Sequence, residues 1–220
     1  MSTTVTLLAA LTLIATLVDW LVTATRQRTG RRWAGQQWTR PAPVALLAVA
    51  AVAAGSFDEA AGVWLVVALV CGAVGDALLV DATEQRFVGG LVAFLLGHLA
   101  YLACFLALEP EWDWRPVAGA VVVAVSFTIA RRVTPGARRA GGPGLAVAVA
   151  IYIGVIGAKT VIGWATGSYL VAAGTTFFVA SDTMLAINRF VRPLEWSKLP
   201  VIAMYHVGQV MIATGVLVLL

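Results

Sequence analysis

Eight apolar runs follow one another along the 220-residue chain, and short polar segments separate them. A helix of about 20 residues crosses a hydrocarbon core of ~30 Å, and only helices or closed barrels satisfy their backbone hydrogen bonds there. Charged residues make up 12% of the chain, whereas soluble domains carry about 25%. The runs therefore predict an all-α polytopic membrane protein with a single transmembrane domain over residues 1–220. The eight predicted spans cover residues 4–24, 41–57, 61–80, 88–108, 115–130, 144–162, 168–189 and 199–219.

The loop charges support this count independently. Thirteen of the 15 Lys and Arg residues lie on the first, third, fifth and seventh loops, whereas the even-numbered loops are mainly acidic. Basic loops face the cytoplasm, so the pattern predicts both termini outside the cytoplasm of a multi-pass inner-membrane protein. The net charge of +4 then reflects topology and anionic lipids and does not indicate nucleic acid. The basic residues are Arg26, Arg28, Arg31, Arg32, Arg40, Arg86, Arg131, Arg132, Arg138, Arg139, Arg189, Arg192 and Lys198.

Two aspartates stand inside apolar runs without an adjacent opposite charge. Asp76 lies in GDALLV (75–80) and Asp182 in SDTMLAINRF (181–190). A carboxylate in hydrocarbon costs several kcal/mol, so such residues usually face a bundle interior and carry function. We predict that Asp76 and Asp182 share one polar pocket.

Further polar side chains fall at a similar depth, about 6–15 Å from the predicted cytoplasmic face at ~1.5 Å per residue. The predicted site is therefore a cavity in the cytoplasmic half of the membrane. His98 and Tyr101, three residues apart, share a helix face. Gln209 shares a face with both Tyr205 and His206. The set at this depth comprises Asp19, Asp76, His98, Tyr152, Asp182 and His206.

Simpler interpretations exist for several of these residues. The two histidines and the tyrosines can serve as interhelical hydrogen bonders or packing residues. Asp19 lies near a span end, where it can reach the interface or pair with an arginine of the first loop. Lys159 lies near the outer end of the sixth span, and we expect its long side chain to extend outward to the interface.

Four segments resemble the YhhN family of membrane lysoplasmalogenases and occur in the family's order. They are AVGDALLV (73–80), FVGGLVAFLLGHLAY (87–101), FFVASDTMLAINRF (177–190) and MYHVGQVMIATG (204–215). Weaker similarities are WTRPAP (38–43), with Arg40 where the family usually has lysine, and the YxxxI segment that begins at Tyr152. Lys159 departs from the family pattern, which has an apolar residue, often Met, at this position.

The resemblance implies an eight-helix fold and hydrolysis of the vinyl ether bond of lysoplasmalogens. An alkenyl lysophospholipid would yield a fatty aldehyde and glycerophosphoethanolamine or glycerophosphocholine, with no metal or cofactor. The residues carried over are Asp76, His98, Tyr101, Asp182, Asn188, Tyr205 and Gln209.

Vinyl ether hydrolysis needs an acid that protonates the β carbon and an anion that stabilises the oxocarbenium ion and orients water. Two carboxylates in unequal environments supply such a pair in glycosidases. Our hypothesis is that Asp182, the deeper residue, is the acid and Asp76 the stabiliser and base, and the reverse assignment stays open. His98 and Tyr101 would hold the water or orient a carboxylate, and Arg40 would meet the lipid phosphate.

Two other functions fit the same residues. A metal-dependent membrane lipid hydrolase would place Asp76, Asp182, His98 and His206 around zinc, which typically takes three protein ligands. A small proton-coupled transporter would use the buried aspartates as proton carriers. Membrane lipids surround the chain in each case, and the sequence does not indicate an oligomeric state.

Overall fold

A computed structural model describes residues 3–31, 33, 35–80 and 83–220. All regular elements among these residues are helical. The α-helices are α1 (Thr3–Thr29), α2 (Gln36–Thr39), α3 (Ala42–Ala53), α4 (Ala60–Leu79), α5 (Glu84–Ala107), α6 (Arg115–Ala130), α7 (Val133–Ala165), α8 (Tyr169–Phe190) and α9 (Lys198–Leu219). Short 3₁₀ turns at Ser56–Asp58 and Glu195–Ser197 precede α4 and α9.

Each predicted span coincides with one helix, and six helical stretches are long and apolar enough to cross a membrane. This confirms a polytopic helical membrane protein. The helices at the other two predicted spans are short, with 12 residues in α3 and 16 in α6, so eight crossings stay a prediction. Arg32, counted among the charges of the first loop, lies outside the described residues.

The chain forms two compact units. The first contains the chain up to Glu109 together with Ala213–Leu220, and the second contains Pro110–Ile212. In the first unit α4 packs along α5, while α3 packs against α1 and α4. In the second unit α6, α7 and α8 pack against one another.

Helix α7 contains a kink at Gly141 and Gly142, just before residue 144, where the predicted sixth span begins. Gly141 and Gly142 have non-helical backbone angles, and Gly142 has a φ of +77°, which favours glycine because it lacks a Cβ. Pro143 follows and can donate no backbone hydrogen bond. The apolar segment 144–162 therefore lies on the C-terminal side of the kink.

Side-chain caps fix the starts of the two helices that carry much of the predicted site. The Thr83 hydroxyl accepts the Arg86 backbone N–H at 3.3 Å before α5. The Ser168 hydroxyl accepts the Val171 backbone N–H at 3.3 Å before α8. Each cap satisfies a backbone donor that has no partner within its helix.

Candidate functional site

In the first unit, three predicted site residues lie on the adjacent helices α4 and α5. Asp76, His98 and Tyr101 are 5%, 1% and 1% exposed. The Tyr101 ring stacks on Phe105 with ring centroids 5.8 Å apart. These side chains are therefore inside the protein and do not face lipid.

The α4–α5 packing fixes the relative heights of these residues. A Cβ at Gly97 would lie 3.3 Å from the Ala68 carbonyl oxygen, and a Cβ at Gly75 would lie 2.7 Å from the Phe94 ring. Position 97 thus faces position 68, and 75 faces 94, in an antiparallel pair. Asp76 is then level with about residue 93, so His98 lies about five residues, or ~8 Å, further along the axis. Asp76 and His98 therefore lie at different heights along the α4–α5 pair.

Asp19 and Arg40 form a buried ion pair in the same unit. The Arg40 Nε lies 3.1 Å from the Asp19 Oδ2, and the Asp19 side chain is 0% exposed. The Thr39 hydroxyl donates to Asp19 Oδ1 at 3.2 Å, and Arg40 Nη2 donates to the Thr23 hydroxyl at 3.0 Å. Of the two simpler interpretations of Asp19, the structure shows pairing with an arginine of the first loop.

In the second unit, Asp182 lies beside two side chains of α7. The Tyr152 hydroxyl donates a hydrogen bond to the Asp182 carboxylate, and Lys159 interacts electrostatically with the same carboxylate. The Lys159 Nζ also lies 3.7 Å from the centroid of the Phe178 ring. Tyr152, Lys159 and Phe178 therefore build the surroundings of Asp182.

The expectation that Lys159 extends outward to the interface is wrong, because its residue is 0% exposed. In an α-helix the Cα–Cβ bond tilts toward the N-terminus, and long side chains usually follow that direction. Lys159 stands near the C-terminal end of α7, so its side chain runs back toward the level of Tyr152. Its spacing of seven residues from Tyr152, which places both on one helix face, is the sequence signal that identifies it.

The predicted residues of α9 extend this aromatic cluster. The Tyr205 ring meets Phe178 edge-on with centroids 5.2 Å apart, and the Tyr205 and His206 rings lie 5.3 Å apart. His206 and Gln209 are each 1% exposed. The three side chains are therefore held inside the protein, and Tyr205 connects α9 to the surroundings of Asp182.

Two polar residues of α8 have structural contacts. The Ser181 hydroxyl donates to the Val201 carbonyl at 2.8 Å and so joins α8 to α9. Asn188 Oδ1 accepts the Leu194 backbone N–H at 2.6 Å, in the segment that follows α8. Asn188 thus holds the turn between α8 and α9, whatever further role it has.

A metal-dependent hydrolase would need several His, Cys, Asp or Glu side chains around one ion. Within the described part of the chain, no group of three His, Cys, Asp or Glu side chains is arranged to hold a metal ion. The two cysteines, Cys71 and Cys104, are both free thiols.

The sequence model of the YhhN family matches residues 35–216 of the chain. The chain is also similar to proteins named lysoplasmalogenase. The relative from Mycobacterium bovis is 32% identical over 201 residues, which cover 88% of this chain and 76% of that protein.

Two mammalian relatives match over a shorter region. Human lysoplasmalogenase TMEM86A is 30% identical over 157 residues, covering 67% of this chain and 62% of that protein. Pig lysoplasmalogenase TMEM86B is 32% identical over 168 residues, covering 68% and 61%. The match thus spans less than two thirds of the length of both mammalian proteins. No solved structure matches the chain.

Proposed function

The chain belongs to the YhhN family, and from this membership we propose that it is a membrane hydrolase that cleaves the vinyl ether bond of lysoplasmalogens. The observation that carries the proposal is the similarity to relatives named lysoplasmalogenase over 88% of the chain. The placement of Asp76 and Asp182 on the apolar helices α4 and α8 supports it, because intramembrane carboxylates usually have a function. The substrate is an alkenyl lysophospholipid with an ethanolamine or choline head group.

The reaction has three chemical steps. A carboxylic acid transfers its proton to the β carbon of the vinyl ether, which leaves an oxocarbenium ion. Water adds to that ion, and the second carboxylate accepts a proton from it to give a hemiacetal. The hemiacetal then collapses to a fatty aldehyde and the glycerophospho head group: the second carboxyl group gives its proton to the leaving glycerol oxygen, and the first, now a carboxylate, takes the proton of the hemiacetal hydroxyl and is restored as the acid. Acid–base catalysis of this kind contributes about 10²–10⁴-fold in rate.

Asp76 and Asp182 are the two carboxylates of this proposal. His98 and Tyr101 on α5 hold the water or orient a carboxylate, and Tyr152 orients Asp182 through their hydrogen bond. Tyr205, His206 and Gln209 contact the alkenyl chain or the head group of the substrate. Asn188 stabilises the end of α8. No step requires a metal or cofactor.

Arg40 and Asp19 act together in the recognition of the lipid phosphate. Asp19 offsets the charge of Arg40 and fixes its Nε, while Thr23 fixes Nη2. The Arg40 side chain is 18% exposed, which leaves part of the guanidinium accessible to a phosphate. The ion pair therefore orients the group that contacts the substrate.

The proposed setting is the inner membrane of the cell, with eight crossings, both termini outside the cytoplasm, and the catalytic residues in the cytoplasmic half. The alternation of basic and acidic loops supports this topology. A single-chain lysolipid enters from the cytoplasmic leaflet in this arrangement.

The direct test uses purified protein in detergent with two matched substrates. One is an alkenyl lysophosphoethanolamine, and the other carries an acyl ester in place of the vinyl ether. We expect fatty aldehyde from the first and no hydrolysis of the second. Folded protein that releases no aldehyde from either head group, or that cleaves the ester instead, contradicts the proposed activity.

A further inference from the structure

Helices α7 and α8 bring two complementary faces together. Tyr152 and Lys159 lie seven residues apart on one face of α7, and Phe178 and Asp182 lie four apart on one face of α8. The contacts among these four side chains show that the two faces meet. A cation, an anion, a phenol and an aromatic ring therefore occupy one small region where α7 meets α8, with Lys159 and Phe178 buried and Tyr152 and Asp182 half-buried.

Lys159 is an unusual group for this position. It is 0% exposed, and burial of an isolated ammonium is costly enough that buried charges are normally paired. The Phe178 ring, 3.7 Å from Nζ, supplies a favourable cation–π contact. Asp182 is the acidic side chain that interacts electrostatically with Lys159, so the two charges offset each other.

The remaining polar neighbours fit this arrangement. The Tyr152 hydroxyl donates a hydrogen bond to Asp182, which favours a carboxylate as the acceptor. On α9, Tyr205 packs on the Phe178 ring and His206 packs on Tyr205. Asp182 thus receives a hydrogen-bond donor and a cation from α7.

We propose that Lys159 is the charge partner of Asp182 and positions its carboxylate for the reaction. This inference rests on the proposed function only for its catalytic consequence. With its positive partner in place, Asp182 is the anion that stabilises the oxocarbenium ion, and Asp76 is the proton donor. This assignment is the reverse of the hypothesis drawn from the sequence.

The pairing is tested by a double-mutant cycle on stability, which needs no substrate. The variants are Lys159→Met, Asp182→Asn and the double variant, and thermal unfolding of the full chain in detergent is followed by circular dichroism. Each single change is expected to lower the Tm by about 5–10 °C, because Asp182→Asn leaves the buried Lys159 without its charge partner and Lys159→Met leaves the half-buried Asp182 without one. The Tm loss of the double variant should be smaller than the sum of the two single-variant losses by about 3 °C or more. Additive losses overturn the pairing.

The chain provides a matched control, since Lys198 is its other lysine and is exposed. Lys198→Met makes the same chemical change at the surface, so its Tm should stay within about 2 °C of wild type. An equal loss in Lys198→Met and Lys159→Met shows that the effect is not specific to the buried site and overturns the pairing.

Aldehyde release separates a positioning role from a purely structural one. In Lys159→Met we expect kcat to fall about tenfold while KM stays within about twofold, because the transition state loses an interaction that substrate binding does not use. If Asp182 were the acid, removal of the nearby cation would leave kcat unchanged or raise it, which overturns the assignment. Wild-type protein without aldehyde release, together with a coupled stability cycle, refutes the proposed function and leaves the pair intact.

Discussion

Asp19 and Arg40 form a buried ion pair, so replacement of either residue is expected to destabilise the protein. Asp19 has no exposed surface, and its carboxylate contacts Arg40 Nε and the Thr39 hydroxyl. Removal of one partner of a buried pair is far more costly than loss of a surface pair, because the remaining charge has no compensation. The pair therefore stabilises the connection from α1 to α3 in addition to any contact with lipid.

We predict that Arg40→Leu lowers the free energy of unfolding by about 3 kcal/mol. The matched control is Arg28→Leu, which changes an exposed arginine at the end of the same helix as Asp19. Thermal unfolding in detergent measures both variants. Equal stability of the two variants would show that the Asp19–Arg40 contact contributes nothing.

Asp113 gives a prediction about pH outside the membrane-spanning segments. Its Oδ1 accepts the Arg115 backbone N–H at 2.9 Å, and its Oδ2 accepts Arg115 Nε at 2.9 Å. The backbone hydrogen bond and then the guanidinium hold the pKa of Asp113 below its ordinary 3.8. Because the folded-state pKa is lowered, the stabilisation is present above pH 3.8 and is lost as the pH falls through the folded value.

The expected result is a small Tm deficit of Asp113→Asn at neutral pH that shrinks once the pH is below 3.8. Asparagine keeps an acceptor for the backbone N–H and removes the charge, so the variant isolates the ionic part. A deficit that is constant across this range would rule out titration of Asp113 as its cause.

At the scale of residues, the sequence identified groups whose polarity conflicts with their surroundings. Asp76 stood out because a carboxylate in an apolar run has no inexpensive location except the protein interior, and it is 5% exposed. Lys159 was recognised as a departure from the family pattern, but its location was predicted wrongly, because a long side chain near a span end reaches either the interface or the interior. The direction of helix α7 and the position of Asp182 decide between these two locations, and both depend on the tertiary structure.

At the scale of elements, helices α8 and α9 pack closely against each other at Gly174 and Gly208. A Cβ at Gly174 would lie 2.8 Å from the Gly208 carbonyl oxygen and 2.9 Å from the Ile212 backbone nitrogen. These are backbone atoms that cannot turn away as a flexible side chain can. Small residues at such contacts allow helices to pack closely within a membrane.

Gly174→Ala is therefore expected to separate α8 from α9 and to lower the Tm by several degrees, through strain of about 1–3 kcal/mol. Gly154 on α7 is the control, since a Cβ there meets nothing within 4 Å. Gly154→Ala should leave the Tm unchanged or slightly raised. The packing explanation fails if both variants behave alike in thermal unfolding.

Apolar runs located the helices but not all of their ends. The predicted sixth span began at residue 144, whereas α7 begins at Val133 and continues through the kink at Gly141 and Gly142. Apolarity reports depth in the membrane, while helix formation depends on backbone hydrogen bonds that polar residues also make. For this reason the basic segment containing Arg138 is helical although it looks like a loop in the sequence.

At the scale of the whole molecule, the proposed function comes with a defined membrane topology, in which both termini lie outside the cytoplasm. A phosphatase reporter, active only outside the cytoplasm, should be active when joined after Leu220. Joined after Arg138, in the basic fifth loop, it should be inactive, since the excess of arginine predicts that this loop is cytoplasmic. A fluorescent protein that folds only in the cytoplasm should give the opposite pattern. Reporter activity on the same side at both sites would contradict both termini lying outside.

Membership of the YhhN family was predictable from four short segments in order, and the family match over residues 35–216 confirms it. The chain's division into two units was not predictable, because hydropathy describes each helix separately. The contacts of Asp182 with Tyr152 and Lys159 likewise required the packing of α7 on α8.

Two-aspartate catalysis is tested by measuring aldehyde release by wild type, Asp76→Asn and Asp182→Asn, each with and without a chelator. Asp58→Asn, a change at an exposed aspartate, is the matched control. We expect chelator-resistant release by wild type and the control, and a loss of at least about 100-fold in both site variants. Wild-type release that the chelator abolishes, or full activity in either site variant, would contradict two-aspartate catalysis.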